Sequence, residues 1–391
     1  MARELWLFDR PATLRDGFAR KVLNPVPSKV EGKISAELKS FPRERFFMFK
    51  ELKNYTVESV TSGHPDKICD QVSDAVLDEC LRQDPMSRVA IECLGAHGLF
   101  VIGGEVTTRA EFNAEKIARD LYREIGYEDE LKVVTNIVKQ SPDIAQGVDT
   151  GGAGDQGIMY GYATDENPEM MPKAVVLAHQ LTKGLEDLRK SKKVTWLRPD
   201  GKAQVTMENG KIRTILVSCQ HDEKVSHDEI QQTLTEKLIQ PLLEDASWIE
   251  ILVNPTGKFV LGGFAADTGV TGRKIMVDTY GGLVPQGGGA FSGKDPTKVD
   301  RSAAYMCRFV ACNLIKQGLA QKALVSVAYA IGRAEPVMIE AGNERGEDLS
   351  DFVKENYDFR PLAIIERLDL RRPIYRQTAA YGHFGRGFSW G

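Results

Sequence analysis

The chain has 391 residues, 42% hydrophobic and 27% charged, which suits two or three domains at roughly 100–200 residues each and excludes wholesale disorder. Its 51 Lys and Arg against 55 Asp and Glu give a net charge of −4, so no global basic field draws it to nucleic acid or acidic membranes and any local cation cluster is informative. No run approaches the roughly 18 continuous apolar residues of a spanning helix, and six cysteines without a CxxC pair point to reduced thiols in a cytoplasmic protein, not to disulfides or a zinc site.

Residues 1–50 read apart from the rest. Arg3, Arg10, Arg15 and Arg20 are mixed with Glu4, Asp9 and Asp16, and the run Leu5–Phe8 is too short for a signal sequence. Pro25, Pro27 and Pro42 break any long periodicity. A poorly ordered extension is expected there, with Met48 a candidate start of the patterned chain. From Tyr55 the punctuation is globular. Ile68, Val72, Val76 and Leu81 predict a helix over Asp66–Asp84 behind Pro65. Strands at Arg88–Leu94 and Leu99–Val106 flank a Gly95–Gly98 hairpin loop. A helix over Ala110–Ile125 ends at Gly126, and Lys132–Val138 is a strand. Gln140–Gly157 holds five glycines and reads as a long functional loop, with a strand at Ile158–Tyr162 after it. Pro172–Arg189 is a helix. Strands at Gln204–Met207 and Ile212–Ser218 flank Asn209-Gly210, the strongest short hairpin signal. Asp228–Leu243 is helical, Ile249–Val253 a strand, and Val260–Gly293 is glycine-rich with short strands. A helix at Val299–Gln317, strands at Leu324–Ile331 and Val337–Glu340, and helices at Leu349–Glu355 and Pro361–Leu368 precede a Gly/aromatic tail. Hairpins alternating with single helices predict α+β layers of mostly antiparallel sheet.

Three motifs carry chemistry. Gly152–Gly157 (GAGDQG) matches GxGxxG, but a dinucleotide fingerprint leaves a strand and opens a helix; this one leaves a loop and enters a strand. Close backbone approach to a ligand is the better reading. Gly288–Lys294 fits GxxxxGK, with Asp295 where a Walker loop needs Ser or Thr. Glycine N–H groups and Lys294 still form an anion nest, Lys298 follows at a helix start, and Asp300 adds a carboxylate for a metal. Gly63-His64-Pro65-Asp66-Lys67 suits a polyphosphate with Mg2+, which takes one or two carboxylates plus phosphate oxygens; the alternative for Asp66 is a helix-dipole charge. Lys67, Lys202, Lys258, Arg273, Lys274, Lys294 and Lys298 all lie in non-helical or helix-start contexts. Together they suit one strongly anionic small ligand such as a triphosphate. His97, His179, His221, His227 and His383 show no readable partner and are expected to be structural or surface residues.

Gly152–Tyr162 (GAGDQGIMYGY) and Gly287–Asp295 (GGGAFSGKD) resemble the two signature segments of S-adenosylmethionine synthetases. Glu58–Asp74 (ESVTSGHPDKICDQVSD), Asn254–Gly263 (NPTGKFVLGG), Thr271–Gly282 (TGRKIMVDTYGG), Lys294–Tyr305 (KDPTKVDRSAAY) and Tyr381–Arg386 (YGHFGR) are similar too. The likeness runs from about Tyr55 to the end and leaves residues 1–50 outside. It implies three related α+β domains, pseudo-threefold and interleaved in sequence, here at 53–150, 151–261 and 262–391. It implies synthesis of S-adenosylmethionine from ATP and L-methionine, then hydrolysis of the bound triphosphate. It also implies a homodimer with shared active sites assembling to a homotetramer, two Mg2+ per site, and K+.

Carried over residue by residue, the resemblance places His64 at the leaving triphosphate oxygen, Asp66 and Asp300 on Mg2+, and Glu92 on K+. Glu105 and Gln140 recognise methionine. Asp200, Lys202, Lys258, Phe259, Arg273, Lys274, Ala290 and Lys294 line the nucleotide and phosphates. Asp155, Asp267 and Lys298 lie near methionine and the reacting centre, with Asp267 also against the nucleotide. The chain departs from the family pattern at Asp149-Thr150-Gly151, where a longer gate loop is usual, and at Ala266-Asp267-Thr268, where Gly-Asp-Cys is common. His64, Lys202, Arg273, Lys294, Asp155 and Asp267 are the expected catalytic set. Two alternatives remain: a phosphotransferase or ATPase, against which Asp295 argues, and a non-catalytic paralogue, against which the retained residues argue.

Overall fold

A computed structural model describes residues 52–139, 151–243 and 245–391. The expected extension over 1–50, Gln140 and the loop up to Thr150 lie outside the described residues. Strand β1 (Asn54–Val60) leads into helix α1 (Pro65–Gln83). Pro65 opens the first turn, and His64 Nδ1 accepts the Asp66 N–H at 3.2 Å as the cap. The hairpin β2 (Arg88–Ala96) and β3 (Leu99–Thr107) follows, then helix α2 (Ala114–Ile125) and β4 (Lys132–Val138). Helix α2 starts later than expected because Asn113 caps the Lys116 N–H at 2.9 Å; Gly126, at φ +117°, ends it in the left-handed region.

Next come β5 (Gly157–Thr164), α3 (Lys173–Lys190), β6 (Leu197–Glu208), β7 (Lys211–His221), α4 (His227–Leu234) and β8 (Glu250–Val253). Asn209 and Gly210, at φ +51° and +77°, make the hairpin turn that their dipeptide predicts. The helical run expected to Leu243 leaves α-geometry after Leu234 and finishes in a wider turn and a 3-10 turn at Pro241. The stretch 260–293 differs from expectation. It holds one two-residue strand, β9 (Gly269–Val270), and one short helix, α5 (Ile275–Asp278). The chain ends with α6 (Val299–Lys316), β10 (Lys322–Tyr329), β11 (Met338–Asn343), α7 (Ser350–Asn356) and α8 (Pro361–Leu368).

The strands form three sheets, ordered β4-β3-β2-β9, β1-β6-β7-β8 and β11-β10-β5. Six of the eight pairings are antiparallel, as expected; β3–β4 and β7–β8 are parallel because a helix, α2 or α4, carries the chain back across each. The opening strand of each third of the chain completes another third's sheet. β1 pairs with β6 from Asn54↔Glu208 to Val60↔Lys202, β5 pairs with β10, and β9 pairs with β2 at Gly95↔Gly269. This cyclic exchange is the interleaving that the resemblance implied.

Helices α1, α3 and α6 cover the sheets. Ile68, Val72 and Val76 of α1 share one buried core with Val89, Ile91 and Phe100, each side chain contributing about 1.5–3 kcal/mol on full burial. α6 lies directly on β5: a Cβ on Gly161 would stand 2.1 Å from the backbone of Cys307 and Arg308. All six cysteines are free and buried. Among the described residues no helix is long and apolar enough to cross a membrane.

Candidate active site

The turn between β1 and α1 places His64 and Asp66 at the N-terminus of α1. Asp66 receives three groups from β9 and the segment after it. Lys274 Nζ lies at 2.5 Å, Arg273 Nε at 3.5 Å, and the Val270 N–H donates at 2.9 Å. Burial alone would raise the Asp66 carboxyl; Lys274 and the Val270 N–H hold it below its ordinary value. Burial, with the charges of Lys274 and Lys202 next, lowers the His64 imidazole to about 3. His64 is therefore neutral near pH 7. Its Nδ1 accepts the Asp66 N–H, so its single proton belongs on Nε2, where it can only be donated.

Asp200 completes this group. Gly63 packs on Pro199, where a Cβ would meet the Pro199 carbonyl oxygen at 2.4 Å, and Tyr127 OH donates to Gly63 O at 2.7 Å. Asp200 Oδ2 accepts the Gly263 N–H at 2.9 Å, and its buried Oδ1 has no partner. Burial pushes Asp200 up to about 6; Gly263 and Lys202 oppose the rise and Asp267 adds to it. Lys202, on β6 opposite Val60, feels both His64 and Asp200. Lys258 and Phe259 lie in the loop after β8. His221 fixes that loop, its Nε2 accepting the Phe259 N–H at 3.0 Å and its N–H donating to Phe259 O at 2.9 Å. Gln220 donates to Val260 O at 3.1 Å.

A second group forms on the glycine run 287–294. Lys294 pairs with Asp300 and Lys298 with buried Asp295. A Cβ on Gly289 would strike the Asp300 carboxylate, one on Gly272 would meet Ala290 Cβ at 2.4 Å, and one on Gly157 would lie 3.5 Å from Asp300 Oδ1. The run therefore reaches from Ala290, beside the Arg273 loop, to Asp300, beside the segment that carries Asp155. A small pocket lined by Ile158, Tyr160, Ile275, Tyr280 and Gly287 opens next to Asp300. Asp155 and Asp267 are exposed and bond their own next residues, Gln156 and Thr268.

Two rigid elements set the spacing of the groups. Asp66, Asp70, Asp74 and Asp78 recur every four residues along α1, and each accepts backbone N–H groups from distant loops. Asp70 takes Gly272 at 2.8 Å, Asp74 takes Gly293 at 2.8 Å, and Asp78 takes Tyr375 at 2.9 Å and Arg376 at 2.8 Å. The side of β2 that pairs with β9 holds the same loops: Cys93 O accepts the Thr271 N–H, and Gly293 O accepts the Ile91 N–H. Eight residues of helix separate Asp66 from Asp74, about 12 Å. In one chain, then, His64, Asp66, Asp200, Lys202, Arg273 and Lys274 are brought together. Lys294, Lys298 and Asp300 stand apart from them.

Lys67 is not part of the ligand-facing cation set expected from sequence. It is wholly buried, with Asp278 Oδ1 at 2.5 Å and Asp70 Oδ2 at 2.8 Å from its Nζ. Burial opposes its charge, and the two carboxylates more than restore it. Glu92 and Glu105 meet neither group. They are exposed on the open face of their sheet, where Glu105 pairs with Val138 in register and Leu94 lies beside Glu92. Leu94, Leu99, Val134 and Val138 are 37–53% exposed there. The acidic ladder, the Arg301 that pairs with its Asp74, and Gln220 were missed at the sequence level, while His221 was expected to be no more than structural or surface. The i, i+4 spacing of four aspartates was the available signal, but such a stripe ordinarily marks a solvated face. The expectation that the remaining histidines are structural suits His383, which is buried against Tyr305 OH at 2.8 Å.

Three family models match nearly the whole described chain. They are the S-adenosylmethionine synthetase N-terminal domain over residues 53–142, the central domain over 150–259 and the C-terminal domain over 261–391. The S-adenosylmethionine synthase of Pseudothermotoga lettingae is 53% identical over 377 residues, covering 86% of this chain and 95% of its own. That of Kosmotoga olearia is 54% identical, covering 85% and 93%, and that of Thermus thermophilus 49%, covering 87% and 96%. With this identity spread across all three domains, the chain belongs to the S-adenosylmethionine synthetase family, a family of methionine adenosyltransferases.

Proposed function

We propose that the chain makes S-adenosylmethionine from ATP and L-methionine by in-line attack of the methionine sulfur on C5′ of ATP, and then hydrolyses the bound triphosphate to diphosphate and phosphate. The observation that carries this reading is the gathering of neutral His64, Lys202, Arg273 and Lys274 around the N-terminus of α1, with Asp66 among them. Sulfur needs no general base, so the lack of a nucleophile–base pair is expected. Catalysis must instead align sulfur, C5′ and the leaving oxygen, which supplies roughly 7–11 kcal/mol when done well, and must stabilise charge as it separates.

In this reading His64 donates its Nε2–H to the leaving oxygen. Lys202, Arg273, Lys274 and Lys294 hold the phosphates, while Lys258, Phe259 and Ala290 line the nucleotide. The unpartnered Asp200 Oδ1 takes a donor group of the nucleotide. Asp155 and Asp267 face the developing sulfonium; Lys298, Glu105 and Gln140 hold methionine.

Divalent metal fits the donor set. No cluster of three or more His, Cys, Asp or Glu occurs among the described residues, and Mg2+ with a polyphosphate asks for only one or two carboxylates. Asp66 and Asp300 each already hold a lysine ammonium, so each accepts a cation where phosphate would lie. Two Mg2+ there would neutralise phosphate charge. K+ is proposed at Glu92, which contributes a single carboxylate, and no step is assigned to it.

The separation of the two cation groups and the exposed apolar face around Glu92 favour a homodimer with shared active sites, extended to a homotetramer. The domains are proposed at 53–150, 151–261 and 262–391, and the setting as cytoplasmic. Incubation of the full chain with ATP, methionine, Mg2+ and K+ should yield a sulfonium product by mass detection. ATP consumption that ignores methionine would instead indicate a phosphotransferase or ATPase.

A further inference from the structure

Nine residues, 270–278, carry the two cations that pair with Asp66. The segment is pinned at three points, all to the first two turns of α1. The Val270 N–H donates to Asp66 Oδ1 at 2.9 Å, and the Gly272 N–H donates to Asp70 Oδ1 at 2.8 Å. At the far end Asp278 Oδ1 accepts Lys67 Nζ at 2.5 Å. The same Nζ forms an ion pair with Asp70 Oδ2 at 2.8 Å. The Asp278 N–H donates to Lys274 O at 2.9 Å, and Asp278 O accepts the His383 N–H at 3.0 Å. Lys67 thus holds the far end directly through Asp278 and is joined to the near end through Asp70, which also takes the Gly272 N–H. Without it, two buried carboxylates would face each other across the segment, an arrangement that costs several kcal/mol in general.

We propose that Lys67 is a positioning residue that locks the segment carrying Arg273 and Lys274 to α1 and so sets where both cations stand against Asp66. The proposal rests on the assignment of those cations to ATP phosphates. Lys67 itself reaches no substrate, since it is wholly enclosed.

The test separates tether from charge in the full-length protein. Asp278→Asn keeps an acceptor oxygen for Lys67 Nζ, whereas Asp278→Ala removes it; both lose the charge. Lys67→Met/Asp278→Asn removes the tether while leaving one buried carboxylate, which guards against the unfolding that Lys67→Met alone invites. Asp278→Ala and the double variant should raise the KM for ATP at least tenfold with the KM for methionine within twofold. Asp278→Asn should stay within threefold of the parent for both. Amide exchange at Val270 and Gly272 should quicken at least tenfold in Asp278→Ala and not in Asp278→Asn. An ordinary KM for ATP in a folded tether-less variant overturns the proposal. So does equal damage to both substrates, or Asp278→Asn as impaired as Asp278→Ala. Arg273→Ala serves as the control on the underlying reading. If it leaves the KM for ATP unchanged, the cation assignment falls and the proposal with it. Unchanged exchange in Asp278→Ala defeats the tether alone.

Discussion

Asp200 sets a functional requirement against stability. Its carboxylate is 5% exposed, Oδ1 has no partner, and burial raises it from an ordinary value of 3.8 to about 6. A carboxyl raised in the folded state stabilises the fold fully below its unfolded pKa, and that stability is lost as pH rises through the folded value. The shift of about two pKa units, at 1.36 kcal/mol each, corresponds to about 3 kcal/mol lost between pH 4 and 7. Asp200→Asn keeps the shape and an oxygen for the Gly263 N–H but cannot ionise. It adds one buried amide donor, a pH-independent cost of about 1–3 kcal/mol. Urea unfolding at fixed chain concentration should therefore show the parent falling by about 3 kcal/mol relative to the variant from pH 4 to 7. At pH 7, where the parent carboxyl is ionised, the variant should bind ATP at least tenfold more weakly. The other titrating groups are common to both proteins and cancel in the difference. Parallel stability curves would refute the argument, since they would mean that ionising Asp200 costs nothing in its enclosure.

Three further outcomes follow from particular contacts. Gly161→Ala should cost more than 3 kcal/mol or prevent folding, because its Cβ would meet helix backbone at 2.1 Å; Gly210→Ala, which meets nothing within 4 Å, should cost about 1 kcal/mol for its positive φ, both read by thermal unfolding. Arg301→Lys exchanges a two-pronged bond to Asp74, at 2.7 and 2.8 Å, for a single one and frees Phe291 O; stability should fall by about 2–4 kcal/mol in denaturant titration, with a rise in the KM for ATP as the Lys294 loop loosens. Lys294→Ala should reduce sulfonium formation at least tens-fold with unchanged circular dichroism, while Asp267→Asn should slow that step more than hydrolysis of added triphosphate.

Local patterns were legible where the interaction is local. Lys132–Val138, Pro361–Leu368 and the Asn209-Gly210 turn stand where periodicity and turn chemistry put them. The strand exchange was not legible, since β1 meets its partner about 150 residues on, at Asn54↔Glu208, and no local period records a partner that far away. At the site, the glycine and cation pattern around His64, Asp66, Arg273 and Lys274 pointed to one place. Lys67 was misread because it adjoins Asp66 in sequence while helix geometry turns it to the interior. His221 looked solitary for the same reason as β1: the Phe259 N–H that it accepts is 38 residues away.

Charge accounting explains why the site pairs cations with carboxylates at rest. Sulfur gains one positive charge in the proposed reaction, and the triphosphate gains one negative charge on leaving. A site with free cations only would bind ATP tightly in the ground state and lower the barrier little, because only the extra unit of charge distinguishes the transition state. Asp66 and Asp300 each hold a lysine, so under the proposed assignment phosphate would compete for those lysines and part of their attraction would be spent on release. Arg273, half exposed and 3.5 Å from the same Asp66, is the less committed cation. In the proposed reaction neutral His64 would contribute a hydrogen bond without a net charge, one that strengthens as the leaving oxygen becomes an anion. The arrangement favours the charge that develops over the charge that ATP already carries.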